Sequence, residues 1–322
     1  MSSAGGRYAL RRCLLAVPAV FGVSLLTFAL LQLAPGDRAE VVARRNTSNA
    51  APTADEIGAA RKTLGLDRSL PIQYETWVRA ALRGDLGTSD ATQRPVRTEI
   101  AYRFPYTLRL AVPAALLALL FGVSFGVVSA MYQGRLVDGL FRFLAVAAAS
   151  MPSFWLGLVL IDVMAVQLRL LPAAGDGGAR FLVLPVVTLA VGPAAVLARV
   201  TRSSLIEALG EDYVRTAAAK GLRRQLVVER HALPNCVVPL LTVVGNIVGR
   251  LLVGAVIIES IFAWPGIGLL LVDSINKKDY PVVEGVILLA GAMFVAINLV
   301  VDLTYGLIDP RIELGSRRAR TA

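Results

Sequence analysis

The sequence predicts an all-α polytopic membrane protein of six transmembrane helices with a small helical extracytoplasmic cap, and three observations carry that reading. Apolar residues make up 56% of the 322 and charged residues only 17%, outside the balance of a soluble domain. Six stretches reach the roughly 20 mostly apolar residues that a helix rising about 1.5 Å per residue needs to cross about 30 Å of hydrocarbon. Lys and Arg concentrate in alternate short loops, as residues that resist translocation do.

The first span, 13–33, follows Arg7, Arg11 and Arg12 within a cytoplasmic N-terminus of residues 1–12. A signal peptide has a similar basic start, but this apolar run exceeds the usual stretch of about 7–15 residues and lacks a small-x-small cleavage site, so a retained anchor is expected. Residues 34–109 form the cap. Thr53 with Glu56 has capping-box spacing before a helix at 57–64, Gly65 is placed to stop it, and a second short helix at 71–83 ends at Gly84. The remaining spans fall at 110–132, 143–166, 181–198, 235–258 and 282–308, separated by a cytoplasmic loop at 199–234 and an extracytoplasmic loop at 259–281 and followed by a tail at 309–322. Gly122-x-x-x-Gly126 and Gly245-x-x-x-Gly249 suit close helix packing.

Residues 1–12, 133–142, 199–234 and 309–322 hold 16 basic and 7 acidic residues, whereas 167–180 and 259–281 hold two basic residues each. Both termini are therefore expected in the cytoplasm, and topology accounts for nearly all of the net charge of +10. No polar basic face is left for nucleic acid. Cys13 and Cys236 lie in apolar runs, and the lone His231 has no partner ligands, so no disulfide framework and no metal site are expected.

The loop from Ser203 to Pro234 is the most informative segment. Ser203 or Ser204 can cap a helix running to Lys220, Gly221 can end it in a left-handed conformation, and a second helix at 222–233 stops at Pro234. Leu205, Leu209, Tyr213 and Ala217 line one ridge of the first helix. Such a ridge suits either a protein partner or the lipid headgroups.

These residues resemble the membrane subunits of binding-protein-dependent ABC importers, in particular the dipeptide, oligopeptide and nickel group. The family signature Glu-Ala-Ala, three residues, Gly, nine residues, Ile-x-Leu-Pro falls on Arg215-Thr216-Ala217, Gly221 and His231-Ala232-Leu233-Pro234, with Arg215 and His231 departing from it. Pro35-Gly36-Asp37, 83–89, Met151-Pro152-Ser153-Phe154-Trp155, 262–268, Asp279-Tyr280-Pro281 and Asp309-Pro310-Arg311 are similar to the group's other segments. Arg38 stands where a second proline is common.

The resemblance implies a type I ABC importer permease fold, a non-catalytic chain, and a path for peptides delivered by an extracytoplasmic substrate-binding protein, with nickel or nickel chelates as the alternative cargo. No phosphate-cradling Gly-x-x-x-x-Gly-Lys-Ser/Thr loop occurs. ATP and Mg are therefore expected on two partner ATPase subunits or domains. Leu209, Tyr213, Arg215, Thr216, Ala217, Gly221, His231, Leu233 and Pro234 are the expected coupling residues. A homologous second permease subunit is expected alongside, or a second copy of this chain. Phe262, Trp264, Pro265 and Gly266 are expected to form a re-entrant scoop facing the binding protein, against the plainer reading of an interfacial aromatic belt. An ATP-independent secondary transporter or a channel is the competing class, but no repeated halves with broken helices are found.

Polar groups within spans are costly in lipid, so Asp162, Asn246, Arg250, Asn298 and Asp302 are expected to face helices or a wet cavity; Asn246, Asn298 and Asp302 can also simply bond between helices, and Asp302 is near enough to the cytoplasmic end to meet water. Arg250 and Asp162 are placed within reach of each other on the outer half of that cavity, against the plainer reading that Arg250 reaches water or a partner subunit while Asp162 meets the outer interface.

Overall fold

A computed structural model describes residues 3–33, 36–46 and 51–308. Pro35, the Asp309-Pro310-Arg311 motif and the tail 309–322 lie outside the described residues. Helix α1 spans Ser3–Gln32, and three short helices follow it in the cap: α2 (Arg38–Asn46), α3 (Ala54–Thr63) and α4 (Leu70–Leu82). The Thr53 hydroxyl accepts from the Glu56 N–H while the Glu56 carboxylate accepts from the Thr53 N–H, the reciprocal cap expected from the spacing. Gly65 and Gly84 take positive φ of 67° and 78° just beyond α3 and α4, a conformation open to glycine.

Helix α5 (Val96–Met131) runs 36 residues, starting well outside the 110–132 span and passing through Pro105 and Pro113. The third apolar run is not a straight rod. Helices α6 (Leu136–Ser150) and α7 (Ser153–Leu160, extended by a wide turn to Gln167) meet at a 100° bend. Pro152 causes it: a residue before proline is driven from the helical region, and Met151 is extended at φ −86°, ψ 122°. Among the described residues five helices are long and apolar enough to cross a membrane, and they become six when this bent pair is counted as one broken span.

Helix α8 (Ala179–Gly210) overturns the expected start of the loop helix at Ser203 or Ser204. The Ser203 hydroxyl donates back to the Arg199 and Val200 carbonyls instead of capping anything, and with no breaker nearby the helix continues past the expected span end at 198. Only then comes the short helix α9 (Asp212–Ala219). Pro234 does not stop the next helix either. Helix α10 (Arg224–Val227) passes through a wide turn at Val228–Ala232 and a tight turn at Leu233–Cys236 into α11 (Val237–Ile261). The irregular turns absorb the missing proline N–H, and the Asn235 side-chain amide donates to the His231 carbonyl at 2.7 Å. Helices α12 (Ile267–Asn276) and α13 (Tyr280–Ile308) complete the chain.

Close contacts explain the small residues. A Cβ on Gly122 would stand 2.5 Å from Leu197 Cβ on α8, and one on Gly245 would stand 2.5 Å from Val301 on α13. Beside the α5–α6 turn, the buried Asp138 carboxylate accepts from Arg202 Nε and Nη2 (2.7 and 2.9 Å), from Ser129 Oγ (2.7 Å) and from the Gly134 N–H (3.0 Å). This pair clamps the α5–α6 turn to α8. Arg12 pairs with Asp302 at 2.9 Å, tying α1 to α13.

Candidate functional site

Three regions hold the expected site residues. In the loop at 199–234, α9 is amphipathic: Val214 and Ala217 are 5% and 7% exposed and join the core with Val227, Val228 and Ala232, while Tyr213 is 42% exposed and Arg215 and Thr216 face out. The placement of Ala217 beside Tyr213 on an outward ridge is therefore corrected. Leu205 is likewise fully buried and Leu209 packs against the core, because both belong to α8. The Tyr213 hydroxyl accepts from Asn235 Nδ2 at 3.0 Å, the same amide that donates to His231, so the two arms of the loop are stitched together. Gly221, at φ +81° with open space around it, turns the chain between the arms, and Leu233 and Pro234 lie in the tight turn below.

In the middle, the α6–α7 bend opens a cavity of about 500 Å³ against α8 and α11, lined by Asn246 and Arg250 together with Met151, Ser153 and Thr188. Arg250 is its one charged lining residue among the described residues. Asp162 is not there. Its carboxylate accepts from Gln167 Nε2 at 2.7 Å on the same wide turn, and no Arg250–Asp162 ion pair forms among the described residues. The bend and the wide turn give α7 a course that a straight third span would not have, which defeats the depth estimate behind that pairing. Asn298 donates to the Phe294 carbonyl of its own helix, away from the cavity lining.

In the loop at 259–281, Phe262 and Trp264 are each 2% exposed, so they root the loop rather than stand free of the body. Phe262 packs over Gly157 and its carbonyl accepts from the Gly175 N–H, while Trp264 Nε1 donates to the Tyr106 carbonyl at 2.9 Å. Pro265 is half-buried and Gly266 buried. Their partner is a residue that sequence reasoning passed over. Glu259, 0% exposed, accepts from Thr107 Oγ1 (2.6 Å) and from the Gly268 and Leu269 N–H groups (2.6 and 3.1 Å), and Thr107 Oγ1 accepts from the Ile267 N–H (2.9 Å). The otherwise unpaired donors of the α12 N-terminus are thus met by a carboxylate where the helix dipole favours negative charge. A Cβ on Gly266 would meet that carboxylate, and one on Gly268 would meet the Val256 backbone. An acid closing an apolar run, followed by Trp-Pro-Gly-Ile-Gly, was the available signal.

Asp279 joins two of the motifs quoted from the sequence. Its carboxylate accepts from Ser89 Oγ (2.5 Å) and the Asp90 and Ala91 N–H groups (3.0 and 3.2 Å), and Arg38 in turn grips Asp90 through Nε and Nη2 (2.9 and 3.2 Å). Arg38, in place of the group's common proline, is thus the residue that fastens α2 to this latch.

Residues 122–314 match the family described as binding-protein-dependent transport system inner membrane component, and residues 6–111 match the N-terminal region of such membrane components. The glutathione transport system permease protein GsiC of Salmonella paratyphi A is 41% identical over 308 residues, covering 95% of this chain and 98% of that protein. Its counterpart in Escherichia coli O6:H1 is 42% identical over the same length. Among solved structures, the inward-facing MetNI methionine ABC transporter superposes with a TM-score of 0.56 over 65% of this chain and 96% of that chain at 17% identity, a likeness of fold. Nearly all-helical, with up to six crossings and this type I importer fold, the chain belongs to the inner-membrane permease subunits of binding-protein-dependent ABC importers, in the dipeptide and oligopeptide group.

Proposed function

We propose that this permease forms the path for short peptides, glutathione-like solutes included, delivered by an extracytoplasmic binding protein and driven by separate ATPase subunits. The observation that carries the cargo class is the cavity of about 500 Å³ whose one charged lining residue is Arg250. A bidentate guanidinium in a mostly apolar pocket suits a carboxylate. The names of the GsiC relatives support the same class.

On the inner side, the exposed face of α9 with Tyr213, Arg215 and Thr216 docks on the ATPase, and Gly221 sets the angle between α9 and α10. ATP and Mg belong to that partner. A homologous permease closes the other half of the path, both termini face the cytoplasm, and the loop carrying Pro265 and Gly266 approaches the binding protein. Reconstitution of the full assembly in proteoliposomes tests this. ATP-dependent uptake of a labelled tripeptide is expected, with Arg250→Ala lowering it more than it lowers uptake of the C-terminal amide. Uptake by this chain alone without ATP, or import of chelated nickel with no peptide uptake, would overturn the reading.

A further inference from the structure

The cap helix α4 does not stand clear of the membrane. The Tyr74 hydroxyl is hydrogen-bonded with Ser24 Oγ at 2.8 Å, and its ring meets Phe21 and Phe28 of α1 edge-on at 6.2 and 5.4 Å, with Trp77 beside Phe28. Ser24 lies eight residues before the outer end of α1 at Gln32, about 12 Å by helical rise. Tyr74 and Trp77 therefore reach into the outer leaflet, while the Glu75–Arg79 pair sits on the opposite face of α4. That is the disposition of an interfacial helix with its aromatic side down.

Between α4, the α3–α4 turn and the outer ends of α1 and α13 lies a cavity of about 680 Å³. Its apolar wall is Phe28, Leu31 and Trp77; its polar wall includes Lys62, Arg68 and Glu284. Other charges here are satisfied, Arg61 by Asp37 and Arg38 by Asp90. Glu284 makes no hydrogen bond or ion pair among the described residues, and Lys62 and Arg68 make no ion pair. Glu284 is four residues into α13, about 6 Å below its start, comparable to the depth of a headgroup layer.

We propose that this cavity seats the headgroup of an outer-leaflet phospholipid bearing a primary amine. The ammonium donates to Glu284, the phosphate oxygens lie against Lys62 and Arg68, and the acyl chains run down α1 past Phe28 and Leu31. A carboxylate that accepts N–H hydrogen bonds distinguishes phosphoethanolamine from phosphocholine, whose trimethylated nitrogen has no proton to donate.

Native mass spectrometry of the whole importer, released from nanodiscs of equal phosphatidylethanolamine, phosphatidylcholine and phosphatidylglycerol with matched chains, tests the site. One retained phosphatidylethanolamine is expected, enriched about tenfold over phosphatidylcholine. Glu284→Gln is expected to bring the two near parity, and Lys62→Ser/Arg68→Ser to reduce retention of both. No enrichment in the unmodified assembly, or enrichment that survives Glu284→Gln, overturns the proposal. So does release of the lipid by millimolar zwitterionic tripeptide, which would assign the cavity to solute. If Glu284→Gln fails to assemble, the double variant on the exposed cap decides: unchanged retention there sinks the idea.

Discussion

Glu259→Ala should detach the first turn of α12 from the body of the protein. The carboxylate is fully buried and accepts from the Thr107 hydroxyl and the Gly268 and Leu269 N–H groups. A buried donor left without an acceptor costs about 1–3 kcal/mol, so the two amides alone lose about 2–6 kcal/mol of local stability. At 1.4 kcal/mol per tenfold, the low end already corresponds to about a 30-fold loss of hydrogen-exchange protection. Glu259→Gln retains one oxygen that can serve both amides, but its amide then donates to Thr107 Oγ1, which already accepts from Ile267, and strands the Thr107 proton. Its expected cost is about 1–3 kcal/mol. Exchange mass spectrometry on the assembled importer, following peptides that cover 262–276, should rank the variants unmodified, Gln, Ala in falling protection. An Ala variant that assembles normally and exchanges like the unmodified protein would refute the role assigned to this carboxylate.

Three further outcomes follow from the packing. Ala217→Glu should reduce folded yield, since a carboxylate would enter the core beside Val214 and Ala232, whereas Tyr213→Ala should leave yield intact and lower transport-coupled ATP hydrolysis; size-exclusion recovery and ATPase assays separate the two. Asp138→Asn should destabilise by about 1–3 kcal/mol, because the buried group that meets Arg202, Ser129 and the Gly134 amide loses its charge and one acceptor oxygen, and Asp138→Leu/Arg202→Met should recover part of the lost thermal stability. Gly122→Ala should cost about 1–3 kcal/mol by forcing α5 from α8, while Gly139→Ala, with open space around its Cβ, should be neutral or slightly stabilising in the same melting experiment.

The membrane class, the glycine seams and the caps of α3 were legible because each depends on local spacing or on a period that the sequence displays directly. The loop at 199–234 was legible as a helical segment but not in its register. Ser203 looks like a cap until a continuous α8 gives its hydroxyl two nearer carbonyls, and Pro234 looks like a stop until Asn235 satisfies the carbonyl beside it. Met151-Pro152 held the signal for the 100° bend, yet an unbroken apolar run concealed it. Glu259 and Asp279 were not legible as anchors, since their acceptor roles depend on Thr107 and Ser89, 152 and 190 residues away. The same holds for Phe262 and Trp264, whose aromatic, glycine-rich setting reads as an exposed loop until Tyr106 and Gly157 are seen to receive them.

The latch between Ser89 and Asp279 also constrains the order in which the protein can be built. Its halves are separated by 190 residues of chain. At a synthesis rate of about 5–20 residues per second, the loop after α4 waits roughly 10–40 s for the residue that fastens it. During that interval Arg38 can already hold Asp90, but the Asp90 and Ala91 amides have no carboxylate to donate to. The cap is thus assembled early and locked last, so a chain halted before Asp279 keeps the Ser89 loop unfastened.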